Sequence, residues 1–503
     1  MKTYIFTILL FFLGVIATAQ ISLPPFFTNN MVIQRDQKFP VWGKAQPNTI
    51  ITVRFATTTL KTSSDKNGNW KVLFPKQKTT LSPKKLEIQN LKTSITLSNI
   101  LVGDVWLCIG QSNMEWPMQA EMHYKEELTE VNNPKLRFFN TTYAGKNIYG
   151  QPFTDSIYAR LNMSSFYQGS WETSDSKSVR SMSAVGYYFG KNIIANQHIP
   201  IGLIHMAIGG APLETFIKRE TLESHPIFKE KVKGNWLYNE SLPKWVRERG
   251  VQNTGRRLVI PQDPTGPNHA YKPGFAFASG IEQLTVIPIK GVLLYQGESN
   301  ALDLERVQEY AALQKLMIED YRKQWKNPKL PFYWVQLSSI DTLHYKSTLW
   351  PMFRDEQRLL LNETRNTGMA VSSDLGSKND VHPTNKKEVG YRLAQWALAQ
   401  DYNEKISPSG PLPKKAIYKK GGIWITFRHA EEGLTFSENN NLKGFSIDKG
   451  KTPVEAQIKK KNKVFIPMHY KPQFIYYAWE PFTSANLMNS SQLPASTFKI
   501  EVN

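Results

Sequence analysis

Ser112 sits in the segment Gly110-Gln111-Ser112-Asn113-Met114-Glu115, directly after the apolar run Val105-Trp106-Leu107-Cys108-Ile109. A hydroxyl that leaves a buried strand at a glycine can be held in the open, and the peptide N–H groups just beyond the strand can receive an oxyanion. The same peptide also reads as an ordinary turn, so the downstream segments decide between the two. In 201–210 a strand-like run ends in Gly209-Gly210, where a backbone N–H can approach a ligand with no Cβ in the way. In 291–300 a buried-looking strand is followed by Gln296-Gly297-Glu298-Ser299-Asn300, which puts an amide and a carboxylate at the C-terminal strand edge where open α/β sheets bind ligands. Asp380-Val381-His382-Pro383 sets an acid and an imidazole two residues apart in one loop. A hydroxyl nucleophile needs such an imidazole as general base and then as general acid to the leaving alkoxide, with a carboxylate to orient it and steady its cation. Of the nine histidines, His382 is singled out for this role, while His205 in an apolar strand and His269 read as core or surface residues.

These segments need a frame that delivers them to one edge. The chain has 503 residues, which predicts more than one domain. From 21 to 98, short alternating stretches broken by Pro, Gly and Asn-Gly-Asn predict a small β-sandwich. From about 100 to 400, strand-like runs (102–109, 201–208, 291–295, 332–337, 369–372) alternate with stretches of helical character (182–194, 304–325, 353–361, 388–399), the signature of a parallel α/β sheet with helices on both faces. Within 304–325 the positions Val307, Tyr310, Ala311, Leu313, Met317 and Tyr321 recur at helical spacing and predict a core-facing helix. Between about 218 and 273 the pattern lapses into Trp, Pro and charge, an insertion above the sheet. Beyond 407 short strands return and predict a second β-domain.

Residues 1–19 carry Lys2, an apolar run and then Ala17-Thr18-Ala19, the pattern of a secretory signal peptide. Its removal leaves no expected membrane span, and the protein is expected outside the cytoplasm, in the periplasm or beyond the cell. Cys108 is the single cysteine, so no intramolecular disulfide can form, and its place in an apolar strand predicts a small buried hydrophobe. The formal charge of +20 is scattered. It fits a solvated surface, or capture of an acidic glycan or envelope polymer. No nucleic-acid module is recognisable.

Taken together, Gly110-Gln-Ser-Asn-Met114, Gly209-Gly210, Tyr295-Gln-Gly-Glu298-Ser and Asp380-Val-His-Pro383-Thr-Asn-Lys386 with Gly390 and Arg392 resemble the sialate O-acetylesterase family of SGNH hydrolases. Leu23-Pro24, Met31 to Arg35, Phe353 to Gln357, Ser409-Gly410-Pro411, Tyr477-Ala478-Trp479, Asn486-Leu487 and Leu493 to Ser496 extend the resemblance over nearly the whole mature chain. It implies an α/β protein with a three-layer, flavodoxin-like α/β/α catalytic domain at 99–405, flanked by an N-terminal β-domain at 20–98 and a C-terminal β-domain at 406–503. It implies Ser112 as nucleophile, His382 as base and Asp380 as the third member, with an oxyanion hole from the Ser112 N–H, a glycine N–H of Gly209 or Gly210, and the Gln296 amide. Glu298 is the alternative acid, able to reach the imidazole from the neighbouring loop. Glu115 is expected in a supporting role, and Arg354 is expected to pack or pair beneath the site. Where the family often has an arginine before Tyr477, this chain has Tyr476.

The resulting expectation is an exported carbohydrate O-acetylesterase that needs no metal or organic cofactor and acts on O-acetylated sialosides, or alternatively on acetylated xylan or another plant glycan. Trp236, Tyr238, Trp245 and Tyr271 of the insertion would either wall the sugar site or pack as core. Two rival classes differ in chemistry: a glycoside hydrolase using Glu115 and Glu298 as paired carboxylates, and a non-catalytic glycan-binding protein built on the flanking β-domains. The oligomeric state is not legible in the sequence.

Overall fold

The computed structural model describes residues 20–255, 261–343, 345–437 and 441–503. The leader expected at 1–19 and part of the insertion, 256–260, lie outside them. The axis of the molecule is a 17-residue strand, β1 (Ser94–Gly110). Its first half pairs with Thr80–Gln89 and Val32–Gln34, and its second half continues into a sheet of parallel strands. Both regions share one sheet and one apolar core, so the boundary expected at 98/99 falls inside β1.

The N-terminal β-region follows its alternation. Ile50–Phe55 and Asn69–Phe74 bury every second residue, which gives each strand one apolar face. Phe55 of one sheet meets Phe74 of the other at 6.0 Å, and Phe74 stacks with Phe39 at 5.7 Å. These rings bridge the two sheets.

The central sheet adds β2 (Asn133–Asn140), β3 (Trp171–Ser174), β4 (Ile201–His205), β5 (Gly291–Tyr295), β6 (Phe332–Val335) and β7 (Thr367–Ala370), in the order β3-β2-β4-β1-β5-β6-β7. All neighbours are parallel except β3, which runs antiparallel to β2. β4 to β7 are buried along their whole length, as strands covered on both faces must be. The covering helices are α1 (Ala184–Gln197), α3 (Leu304–Gln324), α4 (Trp350–Glu363) and α5 (Lys386–Asp401), while α2 (Lys244–Thr254) belongs to the insertion. Adjacent residues of β6 show the two sides. Tyr333 donates to Asp401 of α5 at 2.6 Å, whereas the Trp334 indole donates to the Gln357 carbonyl of α4 at 3.2 Å. Since neighbouring side chains of a strand point to opposite faces, α4 and α5 lie on opposite sides of the sheet. α1 packs beside α5 and α3 beside α4. The expected face of α3, Val307 to Tyr321, is buried.

Two features aim this frame at one edge. The chain moves from β1 to β2, β3 and β4 on one side and then crosses to β5, β6 and β7 on the other, so the order reverses beside β1, the place where open sheets leave a crevice. The carboxyl ends of β1, β4, β5 and β7 then deliver their loops to that crevice. Beyond Leu412 a separate core spans Ala416 to Val502. Fully buried Arg354 of α4 fastens it by donating to the carbonyls of Ala478, at 3.0 Å, and of Glu480. Tyr476, at the position where the family often has an arginine, packs edge-on against Trp479 with ring centroids 5.0 Å apart. Among the described residues no helix is long and apolar enough to cross a membrane.

Candidate active site

β1 ends at Gly110, whose φ of +137° and carbonyl contact with the next strand exclude a side chain, because a Cβ there would lie 2.1 Å from the Tyr295 oxygen. The chain turns at once into a single helical turn, Ser112–Glu115, that leaves Ser112 half-buried between buried Gln111 and Asn113. At the first helical position the Ser112 N–H has no intrahelical acceptor. Across from it, the loop after β7 brings His382 Nε2 to 2.8 Å from Ser112 Oγ. On the far side of the ring His382 Nδ1 lies 3.2 Å from Asp380 Oδ1, and the same oxygen accepts the His382 N–H at 2.8 Å. The imidazole is stacked on Trp116, with centroids 5.3 Å apart and planes 20° from parallel. Burial lowers the His382 pKa and outweighs the raising effect of Asp380; Lys386 lowers it further. Lowered, the ring is neutral at neutral pH, as a base must be.

Glu298 does not touch the imidazole. Its Oε1 accepts from Asn113 Nδ2, and the same amide donates to the Val381 carbonyl at 3.0 Å. Lys386, in the first turn of α5, donates to Asn113 Oδ1. Its ammonium lies 5.6 Å from the Trp116 ring centroid and 5.5 Å from that of Tyr295. Asn113 therefore cross-braces the loops that carry Ser112, Glu298 and His382. Burial raises the Glu298 pKa and pushes that of Lys386 down to about 7, with Glu298, Asp380 and Glu121 pulling the lysine back up. The expected alternative acid is thus part of a buried brace, and Asp380 is the carboxylate against Nδ1.

The expected oxyanion donors divide. Ile208 to Ala211 form a tight turn closed by the Ala211 N–H on the Ile208 carbonyl at 3.1 Å, and Gly210 has the positive φ, +72°, that such a turn demands at its third residue. The Gly209 N–H is taken by Tyr143 Oη at 3.1 Å, while that of Gly210 makes no hydrogen bond among the described residues. Gln296 departs from expectation. Its amide donates to Asn300 Oδ1 at 2.7 Å, to Gln111 Oε1 at 3.2 Å and to the Ala211 carbonyl at 3.3 Å, and its oxygen accepts from Tyr310 at 2.6 Å. A fully buried amide must satisfy its protons internally, so in this arrangement Gln296 offers none to a ligand. It ties the β5 loop to Gln111, whose Oε1 also faces the Ser299 N–H at 3.2 Å.

The other residues singled out in the sequence lie around this centre. Glu115 pairs with Lys146 at 2.8 Å beside Tyr143, a supporting position. Cys108 is buried, which raises its thiol pKa. His205 and His269 are buried, and burial lowers each to about 3. Of the insertion aromatics, Trp236 is core and Tyr238 exposed, whereas Tyr271 and Trp245 line the Gly210 turn, Tyr271 donating to the Gly209 carbonyl at 2.9 Å. Asn113, Trp116, Tyr143 and Lys386 carry parts of the site that motif reading left without a role. Lys386 had a signal: a lysine in the first turn of a helix opposes the dipole and needs a local reason.

A family model described as carbohydrate esterase, sialic acid-specific acetylesterase matches residues 271–399, the span that holds Gln296, Glu298, Asp380 and His382. The sialate O-acetylesterase of Mus musculus is 28% identical over 423 residues, covering 78% of this chain and 75% of the relative. The Homo sapiens enzyme of that name is 28% identical over 443 residues, covering 80% and 76%. The crystal structure of a carbohydrate acetylesterase from Xanthomonas citri superimposes with a TM-score of 0.77 at 28% identity, over 96% of this chain and all of that one.

Proposed function

Because the chain belongs to the sialate O-acetylesterase family of carbohydrate esterases, we propose that it removes O-acetyl groups from sialic acids through an acetyl-enzyme on Ser112, outside the cytoplasm after loss of its leader. The carrying observation is the chain of contacts from Ser112 Oγ to His382 Nε2 at 2.8 Å and from His382 Nδ1 to Asp380 at 3.2 Å. Ser112 Oγ attacks the acetyl carbonyl as His382 takes its proton. The tetrahedral oxyanion sits at the Ser112 and Gly210 N–H groups, each such donor being worth about 10²–10³ in rate. Collapse passes the proton from His382 to the departing sugar oxygen. Water, activated by the same imidazole, then releases acetate and frees the serine. Asp380 steadies the imidazolium in both halves, and the Asn113, Lys386 and Glu298 brace sets the distance between nucleophile and base.

The sheet with helices on both faces and the site at the strand carboxyl ends support an SGNH-type three-layer assignment for the central region. The glycoside hydrolase reading gains no support from the carboxylates: Glu115 is paired with Lys146, and Glu298 is enclosed under Asn113. Acetate release across O-acetylated sialosides and acetylated xylan tests the function. Release from the sialosides, lost in Ser112→Ala, is expected. Release from xylan alone would move the substrate to the plant glycans, and release from neither would overturn the esterase reading.

A further inference from the structure

Helix α2 carries Trp245 and Arg249 one turn apart on the same face. Each holds an N–H sealed from solvent with no acceptor among the described residues, Trp245 Nε1 and Arg249 Nη1. Trp245 borders the Gly209–Gly210 turn directly, and Arg249 reaches it through Tyr149. The Trp245 ring packs edge-on against Tyr271 at 5.5 Å, and its rim lies 3.3 Å from the point a Cβ on Gly210 would occupy. The Arg249 guanidinium lies 5.1 Å from the centroid of the Tyr149 ring, and the hydroxyl of that same tyrosine is 2.9 Å from the Cβ point of Gly209. Tyr149 thus spans from the proposed oxyanion turn to the arginine.

Arg249 forms no ion pair among the described residues, and the nearby carboxylates have their own cations, Glu115 with Lys146 at 2.8 Å and Glu248 with Lys244 at 3.6 Å. Buried donors without acceptors are unfavourable, and this pair, one on an indole and one on the guanidinium itself, suits a group that only accepts and carries negative charge. A carboxylate is such a group, and arginine binds it with oriented, charge-assisted hydrogen bonds. We infer that Trp245 and Arg249 form the subsite for the carboxylate of an acetylated acidic sugar, and that Arg249 separates acidic from neutral acetyl esters at Ser112. This rests on the esterase reading above and assigns its sugar specificity to the insertion. A neutral sugar leaves both donors unmatched, the situation in which a polar site discriminates most strongly.

The test compares kcat/KM for an O-acetylated sialoside and for the same compound with its carboxyl group methyl-esterified, in the wild type, Arg249→Met and Arg249→Lys. The wild type is expected to favour the acid by about tenfold or more, through KM. Arg249→Met should bring that ratio close to unity, and Arg249→Lys should restore part of it. If the wild type hydrolyses both esters equally, the acidic-sugar reading and the subsite fall together. If it favours the acid and Arg249→Met keeps the preference, the substrate reading stands and the subsite is refuted. A loss in Arg249→Met that is equal for both esters refutes it as well, because that is what a structural role alone produces.

Discussion

Replacing Asp380 by asparagine tests the assignment on which the proton relay depends. The carboxylate lies 3.2 Å from His382 Nδ1, where a full unit charge pair is worth ~1.3 kcal/mol at water's dielectric constant and ~5 kcal/mol at an effective value near 20. The Asp380 side chain is 56% exposed, so solvent screening places the interaction towards the lower figure, with an oriented hydrogen bond added. About 1.5–3 kcal/mol of transition-state stabilisation is therefore at stake, a ~10- to 150-fold fall in kcat/KM. The fall should be smaller than for a triad whose acid is fully buried. Asp380 raises the His382 pKa, so Asp380→Asn should also move the acidic limb of the pH profile to lower pH. Glu298→Gln is the comparison: its side-chain oxygen still accepts from Asn113, and a loss of about fivefold or less is expected. The assay is initial-rate hydrolysis of an aryl acetate and an O-acetylated sialoside across pH. Asp380→Asn within threefold of wild type, with Glu298→Gln losing more, would refute the reasoning and transfer the role to Glu298.

The pH dependence of kcat/KM should show an acidic limb below the ordinary imidazole value, because burial lowers His382. Lys386→Met removes a positive charge that contributes to this lowering, so its limb should move up, opposite in sign to Asp380→Asn. The same variant bears on stability: with Lys386 at about 7 when folded, the unfolded chain binds the extra proton between there and the ordinary lysine range, so stability gains from rising pH in that window, and chemical denaturation should show this slope diminished in Lys386→Met. Gly210→Ala should cost ~10- to 100-fold in kcat by steady-state kinetics, since it strains a φ of +72° and puts a Cβ 2.5 Å from the Tyr271 hydroxyl beside a proposed oxyanion donor. Gly209→Ala meets the side-chain ends of Glu115, Tyr149 and Tyr143 at an ordinary φ, and should lose less.

What the sequence disclosed follows from what is local. The buried runs of β4 and β5, the face of α3 and the placing of Ser112 and Gln296 at strand ends, with His382 in a loop beyond the last strand, are written in periodicity and punctuation, and they were readable. The length of β1 was not, because a strand that passes from one sheet region into another has no break to mark the change. Nor was the fate of Gln296. Its amide is used up by Asn300, Gln111 and Ala211, and that competition is decided by tertiary neighbours. The choice between Asp380 and Glu298 likewise hinged on Asn113, whose reach to Glu298 and to Val381 no spacing rule encodes.

The central claim is that Ser112 carries the acetyl group. Rapid quenching of the enzyme during turnover of an O-acetylated sialoside, followed by mass spectrometry of its peptides, tests it most directly. A single acetyl group on Ser112, formed in the wild type and absent from Ser112→Ala, is the predicted result; acetate release that continues in Ser112→Ala would contradict it.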